Sequence, residues 1–289
     1  MTSAVTPTTA KRKRPFKIGK LVANIAFPLI GFAAVLFIWS ILAKLTQDSI
    51  SKLPDPIQTF QDSIPYMQNF FSTKNGDEGI FFLTLYSLGR VAVGFTISTI
   101  IAVPLGFLIG TNRVAAKIAS PLIQLGKPIS PLAWLPVGLT IFAAFGEGSF
   151  IPYAAAVFVI VVTSIWSTLI NTALGAQSIP NDYWNVARVL NLSRWMIIKD
   201  IMIPSTLPYI FTGMRLSLGT AWLVIVAAEM LTGGTGIGFF VWDVYNTGEI
   251  SLVIFSLIII GIVGLFLDQA IAQIEKIVVG RWKPNVGKA

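Results

Sequence analysis

Residues 182–204 read Asp-Tyr-Trp-Asn-Val-Ala-Arg-Val-Leu-Asn-Leu-Ser-Arg-Trp-Met-Ile-Ile-Lys-Asp-Ile-Met-Ile-Pro, a charged stretch set between long apolar blocks. Its pattern predicts two short helices with a hinge. Asn181 or Asp182 is suited to cap the first, because a short side-chain oxygen can accept from the backbone N–H groups that a helix start leaves orphaned. Asn191 is suited to end it in the left-handed conformation, which asparagine tolerates better than other residues with a Cβ. Ser193 is suited to cap the second helix, which is expected to end before Pro204. Two helices at such a hinge form a compact knob for a soluble partner; the same pattern also suits a loop lying along a membrane surface.

Outward from this segment the chain is dominated by apolar blocks, at about 25–42, 80–110, 119–145, 150–174, 209–232 and 250–272. Of 289 residues 54% are hydrophobic and 12% charged, against about 25% charged in soluble domains. A bilayer core takes about 20 apolar residues per helix. The reading is therefore an all-α membrane protein with about six transmembrane helices, multi-pass in the inner (plasma) membrane. The first block is too long for the core of a signal peptide, and no small-residue cleavage site comes cleanly after it. Lys and Arg orient the spans: the tail 1–20, the loop with Arg113 and Lys117, the segment with Arg188, Arg194 and Lys199, and the tail 276–289 are basic. Stretch 233–250 has Asp243 and Glu249 with no Lys or Arg, and loop 45–79 carries more acidic than basic residues. Basic loops stay in the cytoplasm, so both termini are expected inside, N-in/C-in. The chain then has four regions: a basic cytoplasmic tail 1–20; a first span with an outer loop, 21–79; a core, 80–275, containing loop 180–204; and a basic cytoplasmic tail 276–289. In the outer loop Pro56 can open a helix on which Ile57, Phe60, Ile64, Met67 and Phe71 recur at helical spacing, which predicts an amphipathic helix on the outer membrane surface. Residues 73–79 read as a turn.

Composition also excludes. There is no Cys and no His, which removes thiol nucleophiles, the usual general base and the commonest metal ligand. No catalytic residue, metal site or cofactor is expected. No Gly-x4-Gly-Lys-Ser/Thr loop is present to cradle ATP; Gly126-Lys127 is succeeded by Pro128. The net charge of +8 sits at the ends and in short loops, a pattern of topology signals and anionic-lipid contact that gives no face for nucleic acid.

The segment 182–204 resembles the EAA loop of permease subunits of ATP-binding-cassette importers, whose consensus is Glu-Ala-Ala, three residues, Gly, then about nine residues to Leu-Pro. Asn185, Val186 and Ala187 stand at the Glu-Ala-Ala positions, Asn191 at the Gly position and Ile203-Pro204 at the Leu-Pro. Asn185 lacks the acidic charge, which removes an ion pair to an ATPase; Asn191 keeps the left-handed option. Thr84-Leu-Tyr-Ser-Leu-Gly-Arg90-Val-Ala-Val-Gly-Phe95 and Lys127-Pro-Ile-Ser-Pro-Leu-Ala-Trp-Leu-Pro136, with Phe145-Gly-Glu-Gly148, look like the nitrate, sulfonate, taurine and bicarbonate branch, and most like cyanobacterial nitrate permeases. The resemblance implies a type I importer permease that works with a second copy of itself, two ABC ATPase subunits and an extracytoplasmic substrate-binding protein. It implies that Asn185, Val186, Ala187, Arg188, Asn191, Leu192 and Pro204 form the ATPase-coupling loop, and that the substrate is an inorganic anion, nitrate or nitrite first and then bicarbonate, with the organic alkylsulfonates or taurine third. The alternative class is an ATP-independent secondary carrier, which has no use for such a loop.

For an anion path the candidates are Arg90 and Arg215, charges within spans, and Ser130. Snorkelling or helix pairing competes for Arg90, and binding of inner-leaflet lipid phosphate or fixing of the loop 180–204 competes for Arg215. Glu229 would repel anions if exposed and is expected to pair with a basic group. Thr140, Thr163 and Ser164 suit either a pore lining or helix packing.

Overall fold

The computed structural model describes residues 18–47, 52–73 and 78–282. The expected basic tails, apart from residues 18–20 and 276–282, and the centre of the 73–79 turn lie outside the described residues. The chain divides into two compact units, 1–59 and 60–289.

In the first unit α1 (Ile18–Leu45) carries an interior Pro28. The chain then folds back: the Trp39 indole donates to the Pro54 carbonyl at 3.0 Å, and Thr46 Oγ1 accepts from the Leu53 N–H at 3.1 Å. The Asp55 carboxylate accepts from the Gln58 N–H at 2.7 Å and so caps the start of α2 (Pro56–Gln68). The expected amphipathic helix is thus present. Its apolar series Ile57, Phe60, Ile64, Met67 and Phe71 is exposed, as a face meant for the lipid boundary would be.

The second unit holds α2 from Phe60 onward, then α3 (Ile80–Thr111), α4 (Arg113–Gly126), α5 (Pro131–Ala143), α6 (Phe150–Gln177), α7 (Asn181–Val189), α8 (Arg194–Met196), a π-helical segment (Ile197–Met202), α9 (Ile203–Thr232), α10 (Ile237–Asn246) and α11 (Ile250–Trp282). Helix α6 is central and packs against α3, α5 and α9; α10 and α11 pack on α9. The sequence explains the α3–α6 seam. Small residues recur at every fourth position of α3, as Gly94, Ser98, Ala102, Gly106 and Gly110. In lipid, where hydrophobicity does not drive helices together, such a stripe lets backbones approach closely. A Cβ on Gly106 would lie 2.5 Å from Thr172 Cβ, so no larger residue fits. Between α6 and α9 the tie is polar: Ser217 Oγ lies 2.7 Å from Thr168 Oγ1 and donates to the Ser164 carbonyl at 2.5 Å.

Five helices among the described residues are long and apolar enough to cross a membrane: Ala26–Leu45, Ile80–Thr111, Phe150–Gln177, Arg194–Thr232 and Ile250–Gly280. Two expectations change. First, block 119–145 is not one spanning helix but is broken between α4 and α5. Pro128 and Pro131 each lack an N–H, and Pro131 pushes the residue before it out of the helical region: Ser130 has φ −57° and ψ 131°. Helix α5 is about 20 Å long at 1.5 Å per residue, shorter than a bilayer core of about 30 Å. Helix α4 buries none of its residues and exposes Val114, Ile118, Leu122 and Leu125 at helical spacing. Second, the helix expected to stop before Pro204 does not stop: α8, the π segment and α9 form one run from Arg194 to Thr232.

Candidate functional site

The knob is α7 and its connection to α8. Helix α7 starts at Asn181 itself, with Pro180 at the cap position and no side-chain cap, so neither Asn181 nor Asp182 caps it. Its end is as the sequence suggests. Asn191 has φ 47°, alone among the described non-glycine residues in having a positive value. The Leu192 N–H donates to the Ala187 carbonyl at 3.0 Å and the Asn191 N–H to the Arg188 carbonyl at 3.1 Å, the paired bonds of a Schellman ending. Two residues later Ser193 Oγ accepts from the Met196 N–H at 3.3 Å and caps α8. The chain therefore turns sharply with its backbone groups paired.

The π-helical turn accounts for the persistence of the helix through Pro204. A proline has no N–H and its ring crowds the carbonyl four residues back. The turn, Ile197–Met202, widens the helix just ahead of that proline, and Pro204 then sits in the first turn of α9, a part of a helix that tolerates proline.

The two faces of α7 differ. Ala187 is 3% exposed and packs in a small cluster with Ile179, Ile201 and Met202, flanked by Phe107, Trp184, Leu192 and Ile197. This cluster fastens α7 to the π segment. The other face is open: Val186, Val189 and Leu190 are 53%, 81% and 62% exposed. Tyr183, Trp195 and Met196 are exposed beside them. Asn185 accepts from Arg188 Nη2 at 2.8 Å, so both expected coupling side chains are held along the helix surface. The family resemblance points to Val186 but not to Tyr183, Val189, Leu190, Trp195 and Met196. For Val189 a signal is available: two positions from Ala187, it lies on the opposite side of the helix.

The structure does not bring the three anion-path candidates together. Arg90, on α3, donates from Nη1 to Glu229 Oε1 at 2.5 Å and from Nη2 to Thr235 Oγ1 at 3.1 Å. Glu229 is thus paired with a basic group, as expected. Arg215 makes a two-pronged pair with Asp268, Nε to Oδ1 at 2.9 Å and Nη2 to Oδ2 at 2.7 Å. Arg215 and Glu229 are about four turns, or ~21 Å, apart along α9. Ser130 is exposed at the start of α5 and makes no capping bond. Thr163 and Ser164 donate to carbonyls of their own helix at 2.7 Å and Thr140 does so at 2.9 Å. The described residues contain no His/Cys/Asp/Glu group suited to a metal.

The knob thus stands, anchored by Ala187, between two spans, α6 and the continuous helix Arg194–Thr232. The family described as binding-protein-dependent transport system inner membrane component matches residues 102–279, which include this knob and its helices. The chain belongs to that family. As an importer permease of this kind it is a multi-pass inner-membrane transport protein. It is similar to the nitrate import permease protein NrtB of Synechocystis sp., 45% identical over 87% of this chain and 88% of that protein. It is also similar to the bicarbonate transport system permease protein CmpB of Synechococcus elongatus, 40% identical over 88% of this chain and 89% of that one. In fold the permease resembles a chain in the crystal structure of a bacterial alginate ABC transporter, with TM-score 0.61 and 13% identity over 92% of this chain and 99% of that one.

Proposed function

We propose that this permease carries nitrate or nitrite inward through a complex formed with a second copy of itself, two ABC ATPase subunits and an extracytoplasmic binding protein. The observation that carries the proposal is α7: one face locked onto the membrane helices by Ala187, the other presenting Val186, Val189 and Leu190 to the cytoplasm. An exposed apolar patch of this kind in a water-facing loop marks a protein contact. ATP binding closes the ATPase pair, α7 moves with its socket, and the helices turn as rigid bodies about their interfaces. ATP is hydrolysed on the partners.

Nitrate leads because of the 45% identity to a nitrate import permease. Bicarbonate is the second reading, on the 40% identity to a bicarbonate permease. The two arginines and Ser130 stand as candidates for the anion's path, with Arg215 the more open of the two arginines at 39% side-chain exposure against 14% for Arg90. The test is ATP hydrolysis by the co-purified complex in lipid, with nitrate, bicarbonate or taurine added in turn. Stimulation by nitrate alone supports the proposal. Stimulation by bicarbonate alone replaces the substrate, and failure of any ATPase to co-purify removes the ATP-driven reading.

A further inference from the structure

Glu229 is the one acidic or basic side chain fully buried among the described residues, at 1% exposure. A carboxylate in that position persists only if its oxygens are matched by donors, and here they are. Oε2 accepts from Ser87 Oγ at 2.8 Å and from the Gly238 N–H at 3.0 Å; Oε1 accepts from Arg90 Nη1 at 2.5 Å. Ser87 Oγ in turn accepts from the Ile237 N–H at 3.0 Å. Arg90 Nη1 also donates to the Thr235 carbonyl at 2.5 Å. One carboxylate thus ties α3, through Ser87 and Arg90, to the connection 233–236 and the first turn of α10. The connection is shaped around it. Gly236 has φ 137°, and a Cβ there would run into the carboxylate itself.

Glu229 sits near the outer end of the helical run that begins at Arg194 and continues unbroken to Thr232. At 1.5 Å per residue that run is ~58 Å long. At its inner end the π segment is fastened to α7 by Ile201 and Met202 packing against Ala187. A displacement of α7 therefore reaches the carboxylate along one continuous element. Apolar packing would hold three helices together at lower desolvation cost; directional bonds from one carboxylate fix which turn of α3 and which residues of α10 move with α9.

We infer that Glu229, together with Arg90 and Ser87, is the output end of this lever: a positioning residue that makes the outer ends of α3 and α10 move with α9 when the coupling loop moves. The inference rests on the proposed ATPase docking at α7. It also assigns Arg90 to gating, which leaves Arg215 and Ser130 as the freer candidates for contact with the anion.

The test uses the complete complex in lipid, with ATP hydrolysis and anion uptake measured side by side. The chain has no native cysteine, so spin labels at Asn246→Cys on α10 and Phe145→Cys beyond α5 report the outer end with no other label on this chain. In the labelled but otherwise unaltered complex the distance between them changes on ATP binding. In Glu229→Gln, and in the milder Ser87→Ala, the ATPase still co-purifies and hydrolyses ATP. Uptake per ATP, however, falls about tenfold, equivalent to a typical coupling energy of ~1.4 kcal/mol, and the distance no longer responds. Retained uptake per ATP and a retained distance change in both variants would overturn the inference and reduce the network to a structural tie. Loss of the ATPase from the unaltered chain is a different failure, since it removes the coupling reading on which the inference stands.

Discussion

The two ends of α9 are built on opposite principles. At the inner end α7 buries a small apolar anchor, Ala187, and leaves large apolar side chains open, with Val189 at 81% exposure. At the outer end the connection to α10 buries a charge, Glu229, and leaves its hydrogen-bonding capacity filled by Ser87, Arg90 and Gly238. The inner end leaves apolar surface open; the outer end is closed within the chain. A helix with one end open to another protein and the other closed on its neighbours is suited to carrying a movement from the first to the second.

The comparison breaks most severely at the closed end. Glu229→Ala leaves Arg90 without its counter-charge and the Gly238 N–H without an acceptor, and removing one partner of a buried pair costs ~3–5 kcal/mol. The expected result is a large loss of folded protein in the membrane and a much lower melting temperature in detergent. A melting temperature equal to that of the unaltered chain would show that the network is not structurally significant. The next effect belongs to the anchor. Ala187→Trp over-fills the cluster formed with Ile201 and Met202, at a cost of ~1–3 kcal/mol, and pushes α7 off its seat. Membrane insertion persists, while ATPase co-purification and uptake are lost. Normal uptake from this variant would show that the seat of α7 does not matter.

A smaller effect is expected at the hinge. Asn191→Val places a β-branched residue at φ 47°, where left-handed geometry costs ~1–2 kcal/mol for an ordinary residue. Uptake falls while Asn191→Gly retains it; equal activities in the two variants would remove the conformational argument. The smallest structural effect is at Arg215. Its pair with Asp268 is half-exposed, at 39% and 46% side-chain exposure, and such pairs add little to stability. Arg215→Gln is expected to leave the melting temperature nearly unchanged, so any loss of uptake that it causes reports on transport and not on folding.

The inner end is more legible in the sequence than the outer one. Asn191 and Ser193 can be assigned because each acts within a few residues of itself, through a left-handed turn and a cap bond. The amphipathic α2 is readable for the same local reason. The broken block 119–145 is not, because hydropathy averages over Pro128 and Pro131 and sees one apolar stretch where the backbone sees a boundary. Pro204 misleads in the opposite sense: a proline usually ends a helix, and here a π turn ahead of it absorbs the crowding. The pairing of Glu229 with a basic group is foreseeable, since a lone carboxylate in a span needs one. Its links to Ser87 and to the Gly238 N–H, and the bond from the Ile237 N–H to Ser87, are not, because they join residues about 140–150 positions apart or depend on the path of a glycine-rich turn. The stripe of small residues along α3 is visible at every fourth position, yet its partner α6 is known only from the packing.

The whole coupling scheme turns on whether the open face of α7 is the seat of the ATPase. Because the chain has no cysteine of its own, single cysteines at Val189, Leu190 and Ala187 can be cross-linked to the ATPase in membranes carrying the full complex. If α7 is that seat, Val189→Cys and Leu190→Cys cross-link to the ATPase, a small thiol reagent labels both more weakly when the ATPase is present, and the buried Ala187→Cys gives no cross-link. Unchanged labelling of Val189→Cys and Leu190→Cys with the ATPase bound, and no cross-link from either, would contradict docking at α7.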